Sequence, residues 1–451
     1  YMRLRAGDAE VVRKRLLMRA LGITPRDYSA LPEGTVLVAE ELTPSDTIRM
    51  DLAHVSGIVT SRGGYYSHVG IISRNLGIPS VCGVPRAAED GDTVLVDGES
   101  GVVTVHPDEA GLARFSQRRR EAEAERRRLD IFRSAPSRAL DGTAGLICGN
   151  IGTAAEAQAA LDAGAEGIGL LRSEFLYMDQ PALPDEETQF QAYRQVLETM
   201  AGRPVIIRTL DVGGDKAIPA LPMEREENPF LGCRAIRLCL ERRELFRVQL
   251  RALLRAGAYG DLRIMFPMIS SLEELRSAKA MLEEAAEELI REGVPVRKVP
   301  VGIMVEVPGA AVMADCLARE ADFFSIGTND LIQYTMAAER GNPSVEHLYS
   351  PYAPAVLRLI AMAARAAESA GILCGMCGEA AADPELLPVF WGMGLRELSM
   401  SPGGIARSRA ALSGWSTEDC RALAERVLLC ASREEVQAAL QEAHRRRKTR
   451  L

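Results

Sequence analysis

A histidine sits just past a glycine pair in Gly63-Gly64-Tyr65-Tyr66-Ser67-His68-Val69-Gly70-Ile71-Ile72. Ahead of it, Val55-Ser56-Gly57-Ile58-Val59-Thr60 reads as a strand, and Gly63-Gly64 permit a tight turn. Ser67 is a candidate N-cap, which puts His68 in the first turn of a helix running to Gly77, with Pro79 beyond. The free N–H groups and the dipole at a helix start favour an anion and disfavour an imidazolium. A neutral imidazole there is a nucleophile, and once phosphorylated its new negative charge is stabilised. The same pattern also fits a structural histidine bonded to a carbonyl, so residues elsewhere must decide.

A second set of chemistry-bearing residues lies where strand-like apolar runs end: Arg172 and Glu174, Arg208 and Asp211, Glu306, Asn329 and Asp330, Cys377 and Glu379. Glu306 and Asp330 close successive strands, so their carboxylates can converge on one hard cation bound through oxygen, Mg²⁺ or Mn²⁺. Arg172, Arg208 and Arg340 could surround an oxyanion, whether planar carboxylate or tetrahedral phosphate. Such charges can also merely pair with one another. Cations and carboxylates together at one end of repeated strands favour a site. Cys377 alone would read as a small buried hydrophobe, but beside Gly375, Gly378 and Glu379 it becomes a proton donor or acceptor. Cys374-Gly375-Met376-Cys377 has redox spacing, yet positions three apart on a strand point to opposite faces.

The elements that must hold these residues form two patterns. Short β-like segments at Thr35–Ala39, Gly57–Thr60, Ser80–Cys82, Thr93–Val96 and Val102–Val105 predict a small α/β domain over 23–107 carrying His68. A charged helix follows at 108–135, preceded at the start of the chain by apolar residues at helical spacing from Ala6 to Leu21. Beyond Pro136, strand candidates at Leu146–Ile151, Gly167–Arg172, Val205–Leu210, Arg263–Met268, Val301–Val307, Phe323–Thr328, Ile372–Cys377 and Glu397–Ser401 alternate with helix-length segments. Eight such units predict a (β/α)8 TIM barrel over 136–451. A doubly wound sheet competes, but no glycine-rich dinucleotide turn supports it.

Composition narrows the function further. The formal net charge of −8 argues against nucleic acid as the main partner. The basic runs Arg118–Arg120 and Arg126–Arg128 are interleaved with Glu121, Glu123 and Glu125 and read as a solvated helix face. No apolar run is long enough to span a bilayer and no export signal opens the chain, so no membrane association and a cytoplasmic location are expected. Nine scattered cysteines fit reduced thiols.

Several stretches resemble signatures of enzyme I of the bacterial phosphoenolpyruvate-dependent sugar phosphotransferase system. They are Leu42–Thr47, Gly169–Phe175, Arg208–Lys216, Asn228–Gly232, Gly327–Thr335 and Gly375–Glu379. The resemblance covers about Tyr1 to Ser416. It implies that His68 takes a phosphoryl group from phosphoenolpyruvate bound in the barrel, for onward transfer to the HPr phosphocarrier protein. It further implies that Arg172, Arg208 and Arg340 hold the substrate's charges, Asn329 contacts it, Glu306 and Asp330 bind Mg²⁺, and Cys377 protonates the enolpyruvate carbon. A swivelling linker and a homodimer formed through the barrel are also implied. Two departures stand out. Tyr65, Tyr66 and Val69 replace the basic or small residue and the hydroxyls that usually flank the Ser-His pair. In addition, the chain opens partway through the helix that follows the family's HPr-docking subdomain, so residues 1–22 are expected to be a remnant of that helix. The competing readings are a phosphoenolpyruvate synthase or pyruvate phosphate dikinase, and a regulatory protein that keeps the fold without relaying phosphate.

Overall fold

Val-, Ile- and Leu-rich runs bounded by glycine and proline become strands throughout the chain. In the computed structural model, residues 31–40, 42, 54–62, 73, 78–85, 88–178, 182–213, 218, 220–224, 226–340, 342 and 344–450 are described. Contacts divide the chain into two units, Tyr1–Glu125 and Arg126–Leu451. In the first, β1 (Thr35–Ala39), β2 (Val55–Thr60) and β3 (Ser80–Cys82) form a parallel sheet in that order, and β4 (Val94–Asp97) pairs antiparallel with β5 (Val102–Val105). Val59, Val81 and Val96 share one small core. His68, its neighbours Tyr65, Tyr66 and Val69, and the expected Ala6–Leu21 helix lie outside the described residues.

The charged segment forms helix α1 (Glu109–Asp130). Its charges are satisfied along its own surface, with Arg119 Nε 3.0 Å from Glu123 one turn on, and by Asp97, 2.7 Å from Arg118. A solvated helix is what the alternating charges predict.

The second unit is a closed barrel of eight parallel strands. These are β6 (Leu146–Ile151), β7 (Ile168–Arg172), β8 (Pro204–Arg208), β9 (Asp261–Phe266), β10 (Val301–Val305), β11 (Phe323–Ile326), β12 (Leu373–Met376) and β13 (Glu397–Met400), with β13 closing onto β6. Around them lie α2 (Glu156–Asp162), α3 (Glu186–Met200), α4 (Ile236–Glu241), α5 (Arg243–Ala256), α6 (Leu272–Arg291), α7 (Pro308–Val312), α8 (Ala314–Leu317), α9 (Thr328–Met336), α10 (Pro354–Ala370), α11 (Leu387–Gly392), α12 (Ile405–Leu412), α13 (Thr417–Leu429) and α14 (Arg433–Arg450).

Alternation along each strand sorts side chains into two cores. Ile147, Ile207, Ile264, Ile303 and Leu398 pack outward against the helices, whereas Leu170, Ile206, Met265, Met304, Phe323 and Cys377 fill the interior. The outer helices are tied by local caps. At α6, the Ser271 hydroxyl accepts from the Glu274 N–H at 3.3 Å, and the Glu274 carboxylate accepts from the Ser271 N–H at 3.2 Å. Each satisfies a backbone donor the helix start leaves open.

Candidate active site

The barrel gathers the predicted charges at the C-terminal ends of its strands, the end where open loops can shape a site on a rigid frame. Arg208 ends β8 and is buried. Its Nη2 lies 2.6 Å from Glu174, just past β7, and its Nη1 lies 2.9 Å from Asp211. Burial works against the guanidinium charge, but Glu174 and Asp211 reverse that effect and raise its pKa. Asp211 uses its other oxygen to bind Arg234 Nη2 at 2.9 Å, and the same nitrogen lies 3.1 Å from Asp330. One chain of alternating charge therefore runs Glu174, Arg208, Asp211, Arg234, Asp330.

Arg234 is the residue that strand-end reasoning misses. It follows the Asn228–Gly232 signature by two positions, in a loop and not at a strand end. Backbone geometry is what delivers it. The next residue, Ala235, has φ 53° and ψ −125°, a conformation a Cβ resists, and its N–H donates to Val212 O at 3.0 Å. Gly213 has φ 109°, and a Cβ on it would come within 2.5 Å of Arg234 Cβ. Arg234 Nη1 also contacts the Tyr334 hydroxyl at 3.2 Å, and that hydroxyl donates to Phe230 O. The signature loop is thereby pinned to α9.

Glu306 follows β10 and is buried, with one oxygen accepting the Met268 N–H at 2.7 Å. Met268 takes φ 57° to present that N–H. Burial, with Asp330 and Asp211 adding negative charge nearby, pushes the Glu306 carboxyl up to about 8. Crowded carboxylates of this kind are what a hard cation relieves, and Mg²⁺ takes only one or two protein carboxylates while keeping its other positions for water or substrate phosphate. Among the described residues no group of three or more His, Cys, Asp or Glu side chains is placed to hold a metal ion together. The donor set of Glu306 and Asp330 fits that sparing coordination.

The remaining candidates fall around this chain. Arg172 ends β7 half-buried and makes no ion pair among the described residues. Asn329 opens α9 beside Asp330. Its amide nitrogen donates to Glu379 at 3.3 Å, and its oxygen accepts the Glu379 N–H at 3.3 Å. Arg340 follows α9, anchored through its N–H to Gln333 at 2.9 Å, with its positive charge felt by Tyr349. Cys377 follows β12 inside the barrel, and burial pushes its thiol up to about 11. It is therefore a protonated thiol, held as a donor. Cys374 packs in the outer core, so the two cysteines of the redox-like spacing face opposite sides. Gly378 is required where it stands, because a Cβ there would lie 1.9 Å from Thr328 Oγ1.

This arrangement matches two family profiles: "PEP-utilising enzyme, PEP-binding domain" over residues 126–417 and "PEP-utilising enzyme, mobile domain" over 31–101. The fold and site thus define a phosphoenolpyruvate-utilising enzyme with a barrel and a mobile domain. The phosphoenolpyruvate-protein phosphotransferase of Bacillus sp. (strain S) is 50% identical over 97% of this chain and 76% of its own length. That of Staphylococcus epidermidis is 47% identical over 97% and 77%. The chain belongs to the phosphoenolpyruvate-protein phosphotransferase family. Among solved structures, an Enzyme I (nEIt) protein in solution is 37% identical, covering 27% of this chain and 51% of that one, with a TM-score of 0.24.

Proposed function

We propose that the protein transfers the phosphoryl group of phosphoenolpyruvate to His68, releases pyruvate, and passes the group on to an HPr-type phosphocarrier. The observation that supports this most is the buried charge chain from Glu174 to Asp330 at the barrel mouth, next to Glu306 and to a protonated Cys377. It combines cations for a carboxylate and a phosphate, carboxylates for a cation, and a proton donor for carbon.

In this reading Arg172, Arg208 and Arg340 bind the substrate's charges, and Asn329 orients it. Arg234 holds Asp211 and Asp330 in place. Glu306 and Asp330 hold Mg²⁺, or Mn²⁺, which when bound neutralises phosphoryl charge. The His68 imidazole forms the N–P bond as the P–O bond to the enol oxygen breaks, and the enolate carbon takes its proton from the Cys377 thiol. Phosphoryl transfer of this type depends on alignment and charge neutralisation more than on covalent help. Residues 108–135 serve as the swivel between a phosphohistidine domain over 23–107 and a barrel domain over 136–451, and His68 visits the barrel by that motion. Pairing of two barrels into a homodimer and a cytoplasmic setting belong to the same proposal. Among the described residues no helix is long and apolar enough to cross a membrane.

The test is a rapid-quench mixing of the chain with phosphoenolpyruvate and Mg²⁺. A burst of one pyruvate per chain, abolished by a chelator, is expected. Phosphoenolpyruvate bound without any burst would overturn the proposal.

A further inference from the structure

Beneath the mouth, inside the barrel, lies a carboxyl group that the transfer as described does not use. Glu397 opens β13 and is 1% exposed, in an interior otherwise filled by residues such as Leu170, Met265 and Phe323. Its Oε1 is buried without a hydrogen-bond partner. A barrel interior tolerates such a group only at a cost in free energy.

Strand register shows what the group faces. Ser325 on β11 pairs with Gly375 on β12, and Gly375 pairs with Glu397 on β13. Residues in one row of neighbouring strands point to the same side of the wall. Gly375 has no side chain, so no side chain of that row stands between Ser325 on one flank and Glu397 on the other. A Cβ at Gly375 would sit 3.3 Å from Glu397 Oε1. The next inward residue on that strand is Cys377, about 7 Å nearer the mouth. Ser325 is close enough to Cys377 to lower its pKa, against the larger effect of burial, yet its hydroxyl makes no hydrogen bond of normal geometry. On the other side, Ser399 donates to Asn150 at 2.6 Å, and Asn150 donates to the Cys377 carbonyl at 3.0 Å.

We propose that Glu397 is the proton store for Cys377, exchanging a proton with its sulfur through the Ser325 hydroxyl. The proposal rests on the reading of Cys377 as the carbon acid's proton donor. When the Cys377 S–H gives its proton to the enolate carbon, a thiolate remains. The Ser325 O–H passes its proton to that sulfur and takes one from the Glu397 carboxyl, leaving a carboxylate. Two protons shift in concert, the net result is one proton carried from Glu397 to the sulfur, and nothing is oxidised or reduced. The return reaction, from pyruvate, uses the same path backwards.

Burial pushes the Glu397 carboxyl up to about 7, with Arg263 working against it, whereas the Cys377 thiol lies at about 11. The proton therefore runs downhill from carboxyl to thiolate. The other titratable groups that feel Glu397 are Cys148 and Cys374, both buried and protonated. Arg263 also lines a cavity of about 370 Å³ at the N-terminal end of the barrel, with Lys298, Asp322 and Phe323. Glu397 is recharged from water on that side. It touches no substrate and acts through Cys377 alone.

The proposal is tested by the entry of solvent deuterium, as label, into the methyl group of pyruvate while it exchanges with phosphoenolpyruvate on the full chain with Mg²⁺, since each deuteron gained requires the Cys377 proton to be replaced from the store and not returned from pyruvate itself. In Glu397→Gln the exchange rate is expected to fall about 10²-fold with phosphoenolpyruvate affinity unchanged. The ionisation near pH 7 should vanish from its pH profile, and Glu397→Asp should recover part of the rate. Ser325→Ala should show the same loss and serves if the Gln variant does not fold. A wild-type rate and pH profile in the folded variant would overturn the proposal. A wild-type chain that exchanges no label would instead defeat the phosphotransfer reading, and this one with it.

Discussion

Asp211 is the residue on which the barrel mouth turns, because its two oxygens each hold a different arginine, Arg208 and Arg234. Removing one partner from a buried ion pair leaves the others uncompensated, which typically costs about 3–5 kcal/mol. Asp211→Ala should therefore lower the barrel's unfolding free energy by about that amount and also weaken phosphoenolpyruvate binding, measured by denaturant titration and calorimetry. Little of this pairing could be read in advance. Arg208 and Asp211 are legible because they end a strand-like run, but Arg234 is reached only through the positive φ of Ala235 and the bare backbone of Gly213. Sequence spacing carries no trace of such a contact. Glu397 makes a second prediction at this scale. Its folded pKa is raised from the usual carboxyl range to about 7, so the folded chain holds a proton that the unfolded chain has released. The stabilisation this gives is complete below the unfolded pKa and is lost as pH rises to about 7, a loss on the order of 3 kcal/mol. Glu397→Gln should remove that part of the pH dependence of unfolding. An identical pH dependence in wild type and variant would contradict it.

At the scale of elements, the loops after the barrel strands matter through their close approaches. The turn after β12 packs so tightly on the start of α9 that a Cβ at Gly378 would lie 2.4 Å from the Thr328 N and closer still to its hydroxyl. Gly378→Ala must therefore push α9 away, and with it Asn329 and Asp330. Phosphoenolpyruvate-dependent pyruvate release should drop about 10²-fold, as misplacing a site by an ångström does, while the far-UV spectrum keeps its barrel signature. By contrast, Ser271→Ala at the cap of α6, whose bonds run to Glu274 and to no residue of the site, should cost about 1 kcal/mol of stability and leave the burst unchanged. The strands were legible because buried parallel strands read as short continuous apolar runs between turn residues. Their ends differ from expectation by one or two residues. The runs at Val205–Leu210 and Val301–Val307 continue past the last ladder bonds of β8 and β10, since apolar character does not stop where pairing does.

At the scale of the molecule, the barrel grips the chain just past α1. Arg409 on α12 is buried, and its guanidinium donates to the carbonyls of Phe132, Arg133 and Gly164 and to the Ser137 hydroxyl. Gly164 has no room for a side chain, since a Cβ would lie 1.9 Å from Arg133 O. In the proposed mechanism this clasp fixes the lower end of the swivel. Arg409→Met removes hydrogen bonds to three part-buried carbonyls, at about 0.5–1.5 kcal/mol each. It should slow transfer to His68 more than it weakens phosphoenolpyruvate binding to the barrel. The barrel architecture was readable from eight repeated strand-helix units. The clasp was not, because it joins residues far apart in sequence through backbone carbonyls that any residue carries. The role of His68 as phosphoryl acceptor is tested most directly by incubating the chain with phosphoenolpyruvate labelled in its phosphoryl group, together with Mg²⁺. An acid-labile, base-stable label that maps to His68 and is absent from His68→Ala is expected. Label on another residue, or none although phosphoenolpyruvate is bound, would contradict it.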